Sequence, residues 1–331
     1  MDLLKRMIDT LSVTGNEEKL AELIISEIAP YVDSVEKDVM GNVIALKKGK
    51  CQKKLMLSAH MDEIGFMVTY IDKDGFVHFA RVGGLYPLHI ASCPVIFKNG
   101  TCGVLMYESK VDMKDLTLDH FYIDIGASSK EEAEKYVQPG DVAGTYGSIF
   151  DCGEHRMAAK SMDDKIACYI QVVAIQSLKE LPAYDTYFVF STQEEVGLRG
   201  ATTAAYIVEP DFAIALDVTG VGDQLGQKMP NAVKLGEGAA IKVRDASIVC
   251  SHRMVDHLVD IARANKIPYQ MEVLMYGGTD AGAIHLSKGG VVTGGISIPS
   301  RYIHSPVEMV DKRDVAACID LLLAAINTEL A

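Results

Sequence analysis

Tryptophan is absent from the 331-residue chain, and aromatic residues make up only 7% of it. Its cores must therefore rest on Val, Ile, Leu, Met and Ala. There is no basic excess: 32 Lys and Arg face 45 Asp and Glu, a formal net charge of −13. Nucleic acid and anionic membrane surfaces are held by basic patches, so this balance argues against both as main partners. No CxxC pair occurs, and the seven cysteines are odd in number and scattered. That is the pattern of reduced thiols, not of a disulfide frame or a thiolate zinc site. No stretch approaches the roughly 18 uninterrupted apolar residues of a transmembrane helix. The first ten residues carry charges every few positions, as an amphipathic helix does and a secretory leader does not. A cytoplasmic location is expected.

What is present is an ordinary globular composition, 49% hydrophobic and 23% charged, on a chain longer than one core usually spans. Leu20, Leu23, Ile24 and Ile28 fall on one face of a helix predicted over about 16–29, with Asn16 as its N-cap. Lys54–Ala59 is an apolar run that ends on His60. From about Phe66 to Ala159 short β-type runs (Phe66–Ile71, Phe76–Arg81, Pro94–Lys98) are separated by Asp-Gly, Gly-Gly and Asn-Gly turns. One short helical stretch, Lys130–Tyr136, interrupts them. From Asp163 onward helices alternate with buried strands, among them Tyr187–Phe190 and Phe212–Leu216. The pattern predicts an α/β fold, a mainly parallel sheet flanked by helices. The sheet unit comprises residues 1–66 and 160–331, and a small β-rich, barrel-like unit, 67–159, is inserted in it.

In open α/β sheets ligands bind beyond the carboxyl ends of the strands. Three predicted strands run into metal-type side chains there: His60, Glu194-Glu195 and Asp217. A fourth apolar run, Ile296–Ile298, leads to His304, and Asp163 heads the long helix after the insert. Five residues, His60, Asp163, Glu195, Asp217 and His304, are thus expected to converge on one rim. Two divalent ions sharing a carboxylate need such a mixture of carboxylates and imidazoles, and imidazole favours zinc or cobalt over magnesium or calcium. The adjacent Glu194 and Glu195 offer one ligand and one free carboxylate to move the proton of an attacking water. Asp62, two residues after His60, is placed to orient the imidazole through its second N–H.

Ser58-Ala-His-Met-Asp-Glu-Ile-Gly65, Lys160-Ser-Met-Asp-Asp-Lys165, Ser191-Thr-Gln-Glu-Glu-Val-Gly197, Asp217 and Arg301-Tyr-Ile-His-Ser-Pro306 together resemble the M42 metallo-aminopeptidases. Gly15-Asn-Glu17, Tyr122–Ala127 and Gly277–Ala281 resemble segments of the same family, all in the expected order. The resemblance implies a zinc-peptidase α/β domain with an inserted barrel-like domain used in assembly, and hollow homo-oligomers, often dodecamers. It implies that Asp163 bridges two ions, that His60 and Asp217 complete one and Glu195 and His304 the other. Glu194 would be the general base, with Asp62 behind His60. The expected reaction is removal of N-terminal residues from short peptides; the residues that bind the substrate side chain are not legible.

Other readings compete. A metal-dependent deacylase of N-acyl amino acids would use the same ions. A polysaccharide hydrolase (endoglucanase) needs two flanking carboxylic acids and would leave both histidines unexplained. Three histidines of the insert, His78, His89 and His120, are expected to lie far from the metals. Gly83-Gly84 and Gly277-Gly-Thr-Asp280 read most simply as turns.

Overall fold

The computed structural model describes residues 2–226 and 231–330. Helices α1 (Asp2–Asp9) and α2 (Glu18–Ile28) precede strands β1 (Ser34–Lys37), β2 (Val43–Lys47) and β3 (Cys51–His60). Six strands follow: β4 (Gly65–Ile71), β5 (Val77–Val82), β6 (Pro94–Phe97), β7 (Cys102–Tyr107), β8 (Phe121–Asp124) and β9 (Val142–Thr145). Two short helices, α3 (Pro87–Ile90) and α4 (Lys130–Ala133), lie among them. Next come β10 (Phe150–Cys152), β11 (Arg156–Ala159), α5 (Met162–Ser177), β12 (Tyr184–Ser191), α6 (Arg199–Val208) and β13 (Phe212–Gly220). The chain continues through β14 (Ala239–Arg244), α7 (His252–Asn265), β15 (Tyr269–Val273), α8 (Ala281–Ile284), β16 (Val292–Arg301), β17 (Glu308–Asp311) and α9 (Lys312–Asn327).

The architecture is α/β. Strands β12, β3, β13 and β16 form a parallel centre, and antiparallel strands extend it on both sides in the order β1-β2-β12-β3-β13-β16-β17-β11-β10. β14 and β15 attach beside β16. The central strands read as apolar runs because helices cover both faces: from Leu55 onward every residue of β3 is buried, as is all of β13 up to Thr219. Helix α5 is buried on nearly all sides, which its Ile, Val, Ala and Cys content permits. Of the face of α2 that the spacing identified, Leu20, Ile24 and Ile28 are buried and Leu23 is half-buried against the same core. Asn16 does not cap it. Its Oδ1 accepts from Lys98 Nζ at 2.7 Å, and Glu17 stands at the N-cap without a side-chain cap bond.

Strands β4, β5, β8, β7, β6 and β9 close a separate barrel. It has its own core, including Phe66, Val77, Val95, Phe97, Leu105 and Phe121. β10 and β11 return to the large sheet through β17. Val13, Val82 and Val142 form a small apolar seam where barrel and sheet meet. Among the described residues no helix is long and apolar enough to cross a membrane.

Candidate metal centre

The register of the parallel strands places the site. Ser191 pairs with His60 across β12 and β3, and Ala215 pairs with Ser58 across β13 and β3. Asp217 is therefore level with His60. It sits inside β13 rather than at the strand end the sequence suggested, because β13 runs on to Gly220. Asp163 and Asp164 have non-helical backbone angles (φ −73°, ψ 106°; φ −120°, ψ 30°), so α5 turns regularly only after them and Asp163 reaches over the sheet rim. His304 stands at φ 60° beyond β16, and Gln193 at φ 55° in the loop after β12.

All five residues come together in two trios that share Asp163: His60, Asp163 and Asp217, and Asp163, Glu195 and His304, each with its donor atoms within 4.8 Å. The two oxygens of Asp163 face opposite ways. Oδ1 lies 3.0 Å from His60 Nε2 and Oδ2 3.4 Å from His304 Nε2. His60 Nε2 is 4.0 Å from Asp217 Oδ1, and His304 Nε2 is 3.2 Å from Glu195 Oε1. Glu194 belongs to neither trio, yet its Oε2 is 3.9 Å from His60 Nε2.

The imidazoles are oriented from behind. His60 Nδ1 lies 3.0 Å from the main-chain carbonyl of Asp62, which makes Nδ1–H the donor and turns Nε2 toward Asp163 and Asp217. The Asp62 carboxylate is farther off, 3.4 Å from Nδ1. Its main partners are elsewhere: it accepts from the amides of Glu194 (2.9 Å) and Glu195 (3.2 Å) and from the Thr14 hydroxyl (2.8 Å). Asp62 thus stands behind His60 as expected and does more: its carbonyl holds the imidazole, and its carboxylate, 3.4 Å from Nδ1, also holds the Glu194-Glu195 loop.

Electrostatics single the cluster out. Burial raises Glu194 and Asp217 well above the carboxylate range, Asp217 further by the charge of Asp163. Burial would lower His304, yet its hydrogen bonds to Asp163 and Glu195 hold it up at about 12. Burial opposes the charged form of His60 as well, but Glu194, Asp163 and Asp62 keep it well above its usual value. Among the described residues no Lys or Arg pairs with Asp163, Glu194, Glu195 or Asp217 within 4 Å. Four carboxylates, Asp163 and Asp217 buried and Glu194 and Glu195 nearly so, with two imidazoles and no other cation form a donor set that two borderline divalent ions fit in charge and in type.

Four features escaped the sequence. Glu308, buried on β17, accepts from the amides of Asp163 (2.8 Å) and His304 (2.7 Å) and so ties the two trios together. Only its position four residues after His304 hinted at this. Gly83-Gly84 is more than a turn: a Cβ on Gly84 would come 2.7 Å from His304 Nδ1, and one on Gly83 3.1 Å from Glu195 Oε2. His89, expected to be remote, lines the same cavity as His60 and has Nδ1 3.4 Å from the His304 carbonyl, because β5 and α3 carry the barrel to the sheet rim. Asp280 accepts from the hydroxyls of Ser58 and Ser191, both at 2.6 Å, and locks β3 to β12 just below the site.

The family model described as M42 glutamyl aminopeptidase matches residues 41–321. The chain belongs to this family. It is a metal-dependent aminopeptidase, a hydrolase of peptide bonds. A relative from Acetivibrio thermocellus, provisionally assigned as an aminopeptidase, is 49% identical over 98% of each chain. The solved structure of an aminopeptidase from the archaeon Desulfurococcus kamchatkensis superposes with a TM-score of 0.95 at 37% identity, covering 98% of this chain and 94% of that one. The TET1 peptidase of Pyrococcus horikoshii, described as assembling into a tetrahedron or a large octahedral shell, matches with a TM-score of 0.89 at 31% identity over 99% of both chains.

Proposed function

We propose that this M42 enzyme removes N-terminal residues from short peptides with two ions, zinc or cobalt, held by His60, Asp163 and Asp217 on one side and by Asp163, Glu195 and His304 on the other. The opposed oxygens of Asp163 carry this reading, since a carboxylate shared by two ions could offer one oxygen to each. When bound, such ions polarise a scissile carbonyl and acidify water. Glu194 is the general base: it belongs to neither trio, is nearly enclosed, and lies beside both. Its carboxylate takes the proton of the attacking water and delivers it to the leaving amine. Asp62 fixes the main chain on which that carboxylate travels. Glu308 keeps Asp163 and His304 in register.

The two imidazoles disfavour a polysaccharide hydrolase, which has no use for them. We also propose that the insert serves assembly; its expected bounds, 67–159, narrow to the barrel strands β4 to β9, because β10 and β11 belong with the large sheet that carries the chemistry. The assembled form would be a homo-oligomer such as a dodecamer, located in the cytoplasm, with no nucleic acid or membrane as partner.

The test compares an aminoacyl-p-nitroanilide with its N-acetylated twin, on stripped enzyme and after zinc or cobalt is restored. Hydrolysis of the free-amine substrate alone, and only with metal, is the expected result. Preference for the acylated substrate would instead favour a deacylase.

A further inference from the structure

We infer that the cavity beside the two trios takes the side chain of a neutral, apolar N-terminal residue, not an acidic or basic one. This rests on the aminopeptidase reading above and names the substrate class it leaves open. The cavity, about 590 Å³, opens directly on His60, Asp163, Glu194, Glu195, Asp217 and His304. Beyond those six residues its wall mixes apolar side chains, Leu198, Val218, Val221, Leu274 and Ile303 among them, with uncharged hydroxyl and amide groups such as Thr219, Gln224, Thr279 and Ser300.

The ammonium and carboxylate groups on the wall are already committed. Apart from histidines, Lys242 is the one cationic side chain among the described lining residues. It is only 2% exposed, bonds Glu272, and lies 3.2 Å from Asp245 Oδ2. A glutamyl carboxylate approaching this ammonium would meet two carboxylates that hold it already, and would trade solvent for a contested partner. Every acid on the described wall is one of the four proposed as metal ligand or general base. A lysyl ammonium would find no spare counter-charge there. Glu272 Oε2 has no hydrogen-bond partner, but Glu272 is fully buried and does not line the cavity. A charged side chain desolvated without a partner is penalised, whereas an aliphatic one gains from leaving water. The glutamyl label of the family model therefore does not extend to the cavity of this chain.

The experiment measures kcat/KM for leucyl, methionyl, alanyl, glutamyl and lysyl p-nitroanilides on metal-restored enzyme. Leucyl and methionyl substrates are expected to exceed glutamyl, lysyl and alanyl ones by about tenfold or more. Glutamyl or lysyl turnover equal to leucyl overturns the inference and leaves the aminopeptidase reading standing. No turnover of any free-amine substrate overturns the reading beneath it. Leu274→Ala and Tyr276→Ala provide a second arm: in a variant with wild-type sedimentation and metal content, the leucyl-to-alanyl ratio should fall by about tenfold. An unchanged ratio in both variants overturns the assignment of this wall.

Discussion

Two buried charge clusters flank the segment that follows β3, and they resolve their charge in opposite ways. At Glu63 a carboxylate meets two ammonium groups, Lys160 Nζ at 2.6 Å and Lys165 Nζ at 3.2 Å, all within 3% of complete burial. Burial would raise Glu63, but Lys160 and Lys165 hold it down at about 2. Burial lowers Lys165 to about 7. Ser161 and the Ser12 amide complete the shell of the carboxylate, and the Thr10 carbonyl takes Lys165. Three residues earlier, at His60, four carboxylates crowd two imidazoles, and burial raises Glu194, Glu195 and Asp217. The Glu63 cluster is complete within the protein and is a clasp. The His60 cluster has acidity in excess and a cavity in front of it. Composition does not separate them, because both are made of commonplace Asp, Glu, Lys and His. The sign of the imbalance and the access to solvent do.

The largest expected effect breaks the comparison on the catalytic side. Glu194→Gln should lower kcat by about 10²- to 10⁴-fold while the enzyme keeps both ions and its fold, as measured by turnover, metal analysis and circular dichroism on one sample. Near wild-type turnover would remove Glu194 from the role of base.

Glu63→Gln should do the reverse, leaving metal content per folded chain intact and costing stability. Breaking a buried pair by removing one partner costs about 3–5 kcal/mol, read as a shift of the urea midpoint. The pH dependence of that loss follows from the depressed carboxyl of Glu63. The native state releases its proton at about 2, the unfolded chain near the ordinary carboxyl value of 4.5. Glu63 therefore contributes its stability fully above the unfolded pKa and loses it as pH falls through about 2. The gap between wild type and Glu63→Gln should be widest near pH 6 and shrink below about 4.5. A gap that widens toward acid would contradict the clasp.

A smaller effect is expected at the link between the clusters. Asp62→Asn keeps the carbonyl that orients His60 but weakens the grip on the Glu194 and Glu195 amides. Loss of an outer-shell partner costs about 10- to 100-fold in activity or metal affinity. The geometry assigns the larger share to kcat. A variant that loses the first ion outright, with kcat per loaded site unchanged, would return Asp62 to a role behind His60.

Much of this was legible in the chain. The metal-type residues stand directly after apolar runs, so the rule that ligands gather at strand ends brings His60, Glu195 and Asp217 to one rim from the sequence alone. The β-rich texture after Phe66 announced the barrel. Other features depend on where the chain folds back, which local pattern does not encode. Glu308 works through main-chain amides, one of them that of Asp163 far away in sequence, and nothing in its type marks it. His89 reaches the site because the barrel leans on the sheet, a long-range fact. Gly83-Gly84 looked like a turn because a turn needs glycine as readily as a close approach to an imidazole does. The Asp62 carboxylate was given to the nearest imidazole by proximity in sequence, while the loop amides it holds lie more than a hundred residues on.

The central claim is that the acid excess at His60 holds two ions through Asp163, whereas the cluster at Glu63 holds none. Metal per chain, counted after equilibrium dialysis against zinc, tests it most directly in wild type, Asp163→Asn and Glu63→Gln. The account predicts two ions in wild type and in folded Glu63→Gln, and fewer than two in Asp163→Asn. Two tightly held ions in Asp163→Asn would contradict it.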